Sequence, residues 1–226
     1  MKIYAANIET FEAMQENTWS DYMCLVDGAR RERIGQMKQK MDRARSLGAG
    51  LLLRYSFLAQ GYTKEQWTDV QIQYGEAGKP NMVQYPEFCY SLSHSGKWVI
   101  CGVHSKELGA DIQEMQPWNM RLAKRFFAEE EYERLVQVKD EERKKQMFYK
   151  MWTAKESCVK LTGEGIGKGI SQYLTSVDFD KVIDADSHTE MYMKMFEFSN
   201  YMVCICAREC EGFPEKLEVI SIEDFI

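Results

Sequence analysis

The sequence has few of the residues that build metal centres from histidine and cysteine. It contains three histidines and seven cysteines, and no two cysteines have the CxxC spacing of a zinc site. The cysteines are odd in number and scattered, and Cys158 and Cys204 lie within apolar patterns. Because cysteine commonly behaves as a small hydrophobic residue, we expect buried free thiols rather than zinc ligands.

Long apolar runs are also missing. No stretch approaches the roughly 20 apolar residues that span a bilayer, and the first residues, MKIYAANIET, lack the basic and apolar segments of a signal peptide. With 226 residues, 45% of them hydrophobic and 28% charged, the chain has the composition of a soluble globular protein. We therefore expect a cytoplasmic protein that makes no contact with a membrane.

The net charge of −6 argues against a general nucleic-acid-binding protein. The charge is uneven, because residues 30–54 contain eight basic and two acidic side chains, a local charge of +6 that leaves −12 for the remainder. Such a patch suits a small polyanion better than a long one. A nucleic-acid-binding module on this segment is a minor alternative, since the segment lacks interleaved aromatic residues.

The spacing of apolar residues predicts a mixture of helices and strands. Residues 30–58 follow three/four spacing, which predicts one long amphipathic helix or two in succession, and further helices are expected over 119–127, 129–138 and 140–161. Short strands are expected over 2–5, 108–112, 173–179, 191–198, 201–207 and 217–222, and two strands around a turn over 90–103. Because the two types do not alternate regularly, we predict an α+β fold with mainly antiparallel sheets.

Two acidic residues stand out on separate predicted elements. Asp111 ends a short apolar strand, where a turn or cap role is the ordinary explanation. Glu156 lies one helical turn before Lys160, where the ordinary explanation is an intrahelical ion pair. Together with a basic patch, however, two carboxylates and a lysine are what a magnesium-assisted phosphoryl transfer needs. Mg²⁺ usually binds one or two carboxylates and completes its shell with water and phosphate oxygens.

Two other patterns are incomplete as catalytic motifs. The run GEGIGKG at residues 163–169 lacks the GxxxxGK[ST] order and the preceding strand of a phosphate-binding P-loop, so we expect a flexible surface loop. Ser93 and His94 are adjacent in a predicted strand, so their side chains point to opposite faces and suit a nucleophile–base pair poorly.

Eight segments carry a resemblance that extends over nearly the whole chain. They are MKIYAANI at 1–8, RRER at 30–33, RS at 45–46, GKP at 78–80, SLSHSGKW at 91–98, LGADI at 108–112, AKRFF at 123–127 and WTAKESCVK at 152–160. Each segment is weak evidence alone. Taken in order, they resemble the motifs of the phosphopantetheinyl transferases of the larger, surfactin-synthetase-activating type.

The resemblance implies a fold and an activity. The fold is a pseudo-dimer of two similar α+β subdomains, expected over residues 1–106 and 107–226, with the ligand cleft between them. The activity is a magnesium-dependent transfer of the 4′-phosphopantetheine group of coenzyme A to a serine of an apo acyl or peptidyl carrier protein, with release of adenosine 3′,5′-bisphosphate. A monomer is expected, and the pathway of the carrier (fatty-acid, polyketide or nonribosomal-peptide) stays open.

The resemblance also implies roles for particular residues. Three are expected to hold Mg²⁺: Asp111, Gln113 and Glu156. Five are expected around the 3′-phosphate of coenzyme A: Arg30, Arg33, Arg45, Ser46 and His94. Two lie by the adenine, Lys79 and Pro80, and three reach the phosphates, Ser93, Lys155 and Lys160. Catalysis is assigned to Glu156, Lys160 and Asp111, with Glu156 or a water on the metal accepting the serine proton. The glycine-rich run and the segment to about residue 194 would help to dock the carrier.

One position departs from the family's pattern. Gln113 stands where many relatives have a third acidic metal ligand, so we expect weaker metal affinity. The same residue supports an alternative function, a catalytically inactive module of the same fold that binds coenzyme A or a carrier protein.

Overall fold

The structure is a computed structural model that describes residues 1–75, 78–165 and 169–226. The chain divides into two compact units, one formed by residues 1–106 together with 214–226 and the other by residues 107–213. The expected subdomain ranges of 1–106 and 107–226 therefore differ from these units in the last 13 residues, which belong to the first unit.

The first unit is a four-stranded sheet covered by helices. The unit contains the four strands of this sheet and a separate pair. They are β1 (Lys2–Asn7), β2 (Ile72–Tyr74), β3 (Pro80–Met82), β4 (Cys89–Ser95), β5 (Trp98–His104) and, late in the chain, β11 (Glu218–Ile220). Its helices are α1 (Glu9–Ala13), α2 (Ser20–Met23), α3 (Gly28–Gln36), α4 (Lys40–Ala59) and α5 (Lys64–Thr68). The sheet has the order β11-β1-β5-β4, and β2 and β3 form a separate hairpin.

The long helix α4 carries most of the core of this unit. Its buried residues Leu47, Leu51 and Phe57 pack against the sheet, mainly on β5. The predicted helical region over 30–58 is two helices, because the chain is extended at Met37 (φ −73°, ψ 135°) between α3 and α4. The C-terminal tail joins this unit because β11 pairs in parallel with β1, with Tyr4 opposite Glu218.

The second unit is a five-stranded antiparallel sheet with a long helix packed on it. Its strands are β6 (Leu108–Glu114), β7 (Tyr173–Thr175), β8 (Lys181–Asp184), β9 (Glu190–Phe198) and β10 (Tyr201–Ala207), in the order β6-β10-β9-β8-β7. Its helices are α6 (Met120–Phe126), α7 (Glu129–Gln137) and α8 (Glu141–Thr162). The apolar stripe of α8, which includes Met151, Ala154, Cys158 and Leu161, is fully buried, and α8 packs on β6 and β10.

The predicted fold class, α+β with mainly antiparallel sheets, is confirmed: the pairing of β1 with β11 is parallel, and the other strand pairs of the described residues are antiparallel. The three predicted helices after residue 118 are present. Sequence spacing missed β2, β3 and β8, which are only three or four residues long. The expected loop at 163–169 falls partly outside the described residues, since 166–168 are not among them.

The cysteines are free, and four of the seven are buried, including Cys158 and Cys204. Cys24 and Cys210 are exposed, so the expectation of buried thiols is wrong for these two. No helix in the described ranges combines the length and the apolarity needed to cross a membrane.

Candidate active site

Asp111 lies in the middle of β6 and not at its end, because the strand continues to Glu114. Side chains alternate between the two faces of a strand, so Gly109, Asp111 and Gln113 share one face. Asp111 is 2% exposed and opposes Cys204 of β10. A turn or cap role is thus excluded, and a buried carboxylate on a central strand needs partners.

Gly109 allows α8 to approach this face of β6 very closely. A Cβ atom at Gly109 would lie 1.9 Å from the carbonyl oxygen of Ser157 and 2.6 Å from the backbone nitrogen of Leu161. Only glycine fits at such a backbone-to-backbone contact. The close approach puts the side chains of α8 within reach of Asp111, two residues further along the strand.

Lys160 of α8 is one of these partners. Its Nζ lies 2.7 Å from Asp111 Oδ1, while Gln113 Nε2 donates a hydrogen bond of 2.9 Å to Asp111 Oδ2. The Lys160 side chain is 29% exposed, whereas that of Asp111 is 3% exposed. The lysine therefore connects a buried carboxylate to the surface of the second unit.

Glu156, one helical turn before Lys160, completes the cluster. Burial raises the pKa of Glu156, the negative charge of Asp111 raises it further, and Lys160 opposes the shift. Two carboxylates thus repel each other in a partly dehydrated place, and a cation between them would remove the repulsion.

The donor set of this cluster fits a magnesium ion. Its oxygens come from Asp111, Glu156 and the Gln113 amide, and hard oxygen ligands are those that Mg²⁺ prefers. Within the described residues no group of three or more His, Cys, Asp and Glu side chains is arranged to hold a metal. In this orientation Gln113 presents its amide nitrogen to Asp111, so direct ligation by Gln113 requires an amide flip.

Lys155 differs from its expected role. Although it directly precedes Glu156, its side chain is fully buried and forms an ion pair of 2.6 Å with Glu131 of α7. Burial lowers the pKa of Lys155, and Glu131 opposes the shift. Successive helical residues are 100° apart, which sends Lys155 into the interior while Glu156 faces Asp111. In this structure Lys155 is an internal counter-ion and not a surface group available to a phosphate.

Arg30 of α3 lies against α4. It is 8% exposed, its Nε lies 3.4 Å from Asp27 Oδ2, and its Nη1 donates to the carbonyl oxygen of Ser46 over 3.4 Å. Its stem crosses α4 at Gly50, where a Cβ atom would lie 2.5 Å from Arg30 Cδ. Arg30 and Ser46 are therefore brought together as expected, and Asp27, which caps α3, offsets part of the charge of Arg30.

Arg33 of α3 and Arg45 of α4 each connect their helix to a hairpin. Arg33 donates to the hydroxyl of Tyr74 over 2.8 Å, and its guanidinium lies 5.0 Å from the centre of the Tyr74 ring. Arg45 Nε donates to the carbonyl oxygen of Gly96, in the turn between β4 and β5, over 3.0 Å. Since both arginines are anchored within the first unit, their charges are preorganised.

The remaining predicted residues lie on the same hairpins. Pro80 opens β3 directly opposite Tyr74, and Lys79 precedes it. On β4, Ser93 is buried and His94 is exposed, which agrees with side chains on opposite faces. The hairpin of β2 and β3 therefore carries the anchor of Arg33, and the hairpin of β4 and β5 carries that of Arg45.

Sequence reasoning missed three residues that hold these groups in place: Asp27, Tyr74 and Glu131. Asp27 had a local signal, because an aspartate three residues before Arg30 fits a helix N-cap. Tyr74 and Glu131 had none, because each meets its partner through a contact between distant parts of the chain.

Two family models match the chain in succession. The model described as "4'-phosphopantetheinyl transferase, N-terminal" matches residues 13–106, and that of the "4'-phosphopantetheinyl transferase superfamily" matches residues 107–206. Together they cover most of the chain.

Individual proteins are similar over the full length. The 4′-phosphopantetheinyl transferase Sfp of Bacillus subtilis is 30% identical over 100% of both chains, and the 4′-phosphopantetheinyl transferase ffp of Bacillus subtilis is 30% identical over 99% of both. Among solved structures, a holo-[acyl-carrier-protein] synthase of Thermotoga maritima matches 44% of this chain and 61% of its own, at 18% identity and a TM-score of 0.36.

The two family models and the full-length relatives place the chain in the 4′-phosphopantetheinyl transferase superfamily. Its full-length identity to Sfp makes it an Sfp-type enzyme, a transferase of the 4′-phosphopantetheinyl class. The resemblance drawn from the motifs is thereby confirmed.

Proposed function

We propose that this protein transfers the 4′-phosphopantetheine group of coenzyme A to a serine hydroxyl of an apo carrier protein, with Mg²⁺ as cofactor. The observation that carries the proposal is the cluster of Asp111, Glu156 and Lys160, two carboxylates and a lysine gathered on one side of α8. The relatives named 4′-phosphopantetheinyl transferase support the type of group transferred.

The proposal assigns the pyrophosphate of coenzyme A to this cluster. When bound there by Asp111 and Glu156, Mg²⁺ would neutralise charge on the phosphate oxygens. Lys160 has a partly exposed ammonium next to Asp111, from which it can offset charge on the leaving adenosine 3′,5′-bisphosphate. Gln113 orients Asp111 through its hydrogen bond.

The carrier serine attacks the β-phosphorus, so a bond from the serine oxygen to phosphorus forms and the bond to the bridging pyrophosphate oxygen breaks. Glu156 takes the serine proton in this scheme.

The 3′-phosphate is assigned to the arginines of the first unit, Arg30, Arg33 and Arg45. Arg33 is anchored by a neutral partner, the Tyr74 hydroxyl, so it keeps most of its positive charge for an anion. Arg45 is anchored by the Gly96 carbonyl and also pairs with Asp42 over 3.4 Å, but the Asp42 side chain is 55% exposed, and such a surface pair offsets little charge. Arg30 already faces Asp27, and its contribution should be smaller. Ser46 and His94 are assigned to the same phosphate, Lys79 and Pro80 to the adenine, and Ser93 to the phosphates.

Incubation of the protein with coenzyme A, Mg²⁺ and an apo carrier protein tests the proposal, with the carrier weighed by intact mass spectrometry. We expect the mass of one phosphopantetheine to be added, and EDTA to prevent the addition. Carriers from fatty-acid, polyketide and nonribosomal-peptide systems should be compared. If none of them gains mass while coenzyme A still binds, the protein is the inactive binding module that Gln113 allows.

A further inference from the structure

The proposed reaction assigns no role to the buried ion pair of Lys155 and Glu131. Their side chains are 0% and 1% exposed, and they join α8 to α7 inside the second unit. Taking two charges out of water is expensive, and a buried pair is often no more stabilising than apolar residues of the same size. A gain in stability alone is therefore a weak explanation for the pair.

The ammonium of Lys155 has no donor to spare. It can donate three hydrogen bonds, and three acceptors surround it: Glu131 Oε2 at 2.6 Å, the carbonyl oxygen of Ile170 at 3.2 Å and the carbonyl oxygen of Tyr173. With all three used inside the protein, none remains for a phosphate of coenzyme A.

Glu131 is equally occupied, and its partners lie on different elements. Its Oε1 accepts from the backbone nitrogen of Thr175 at 2.8 Å and from the Thr175 hydroxyl at 2.7 Å, while its Oε2 also accepts from the backbone nitrogen of Ala128 at 3.1 Å. The pair therefore fastens α8 to the first turn of α7 and to β7.

In the sequence of α8, Glu156 lies between Lys155, which pairs with Glu131, and Ser157, which contacts Gly109 of β6. Lys155 precedes it and is tied to α7 and β7, whereas Ser157 follows it and lies against Gly109 of β6. A helix held on both flanks can neither rotate nor slide, so the direction of the Glu156 side chain towards Asp111 is set by these two contacts.

We propose that Lys155 and Glu131 are a positioning pair, which holds α8 so that Glu156 and Lys160 meet Asp111, and that Lys155 makes no contact with coenzyme A. This role rests on the proposed function. It predicts that loss of the pair impairs turnover and the use of Mg²⁺, whereas a lysine bound to a phosphate would affect the binding of coenzyme A.

The test compares Lys155→Met, Glu131→Gln and the double variant with the wild-type protein. The double variant is decisive, because it leaves no buried charge without a partner and should keep a Tm near that of the wild type. A methionine side chain at position 155 cannot donate a hydrogen bond, so the link from α8 to α7 and β7 is lost. We expect the kcat of the double variant to remain at least about tenfold lower and its half-saturating Mg²⁺ concentration to rise, with the KM for coenzyme A changed by less than about threefold.

Lys150→Met is the matched control on the same helix. Lys150 pairs with Glu197 over 3.0 Å at the surface, so its loss should leave all the kinetic constants near their wild-type values. A double variant with wild-type kcat and Mg²⁺ dependence would overturn the positioning role alone. A KM for coenzyme A raised more than about tenfold with kcat unchanged would also overturn it, since that pattern marks a ligand contact. Failure of the wild-type protein to transfer would instead overturn the proposed function.

Acetylation of the wild-type protein with an amine-reactive reagent gives a second measurement that needs neither activity nor a variant. Lys155 should stay unlabelled both with and without coenzyme A, while Lys150 is labelled in both. Labelling of Lys155 in the free protein, with protection by coenzyme A, would place Lys155 at the ligand and refute the inference.

Discussion

Replacing Gly109 by alanine would place a methyl group where α8 already lies. The new Cβ atom would be 1.9 Å from the carbonyl oxygen of Ser157, and ordinary van der Waals contact begins at 3.4 Å. The helix and β6 must therefore separate by about 1.5 Å, because the atoms that clash are backbone atoms and cannot rotate away.

The separation should cost both stability and activity. Overpacking in a dense core typically costs about 1–3 kcal/mol, and we expect a loss of about 3 kcal/mol in the free energy of unfolding since backbone must move. The same shift carries Glu156 and Lys160 away from Asp111. A misplacement of about 1 Å can lower a rate by roughly 100-fold, so kcat should fall by about that factor.

Urea denaturation and steady-state transfer kinetics, run under the same conditions, measure the two effects. Gly35→Ala in α3 is the control, because a Cβ atom there has nothing within 4 Å and alanine favours a helix by up to about 1 kcal/mol. Wild-type stability and kcat in Gly109→Ala would refute the argument that this glycine sets the distance between β6 and α8.

Four further predictions concern the charged groups. Asp111→Asn should abolish transfer while the protein stays folded, as checked by the intact-mass assay and by circular dichroism. Normal turnover would show that Asp111 is not part of the active site. Glu156→Gln should also abolish transfer, yet it should raise the stability of the ligand-free protein at pH 7. The pKa of Glu156 in the folded protein is raised above its unfolded value of about 4.5. The stability that the folded protein has while this carboxyl is protonated, below about pH 4.5, is therefore lost as the pH rises through the folded pKa. Urea titrations should show the advantage of the glutamine at pH 7 and none below about pH 4; equal stabilities at pH 7 would contradict the shift. Arg45→Ala should raise the KM for coenzyme A more than that for 3′-dephospho-coenzyme A. Equal effects on the two KM values would show that Arg45 does not bind the 3′-phosphate. Gly50→Ala should displace Arg30, whose Cδ would lie 2.5 Å from the new methyl group, and raise the KM for coenzyme A by a smaller factor; an unchanged KM would show that Arg30 is not needed there.

Local pattern was enough to predict the long elements, and the ordered motifs singled out Asp111 and Glu156. The stripe of α8 repeats every three or four residues, so its buried face could be read directly, and Glu156 and Lys160 followed as neighbours one helical turn apart. The short strands β2, β3 and β8 were missed, because an alternation over three or four residues is a weak signal, although β7 and β11, each of three residues, were predicted within longer segments.

Contacts between distant segments decided the rest. Asp111 was expected at a strand end, but pairing with β10 extends β6 to Glu114 and leaves the aspartate buried in mid-strand. The last residues were expected in the second subdomain, but pairing of β11 with β1 places them in the first unit.

The sequence by itself determined the α+β class and the family, since the first depends on the spacing of apolar residues and the second on motifs that follow one another in order. It also offered Asp111 and Glu156 as candidate carboxylates through those motifs. Only the tertiary structure decided that Lys155 and Glu156, adjacent in the chain, serve different partners. A turn of 100° per residue separates their directions, and what each side chain meets there, Glu131 for one and Asp111 for the other, is contributed by elements elsewhere in the chain.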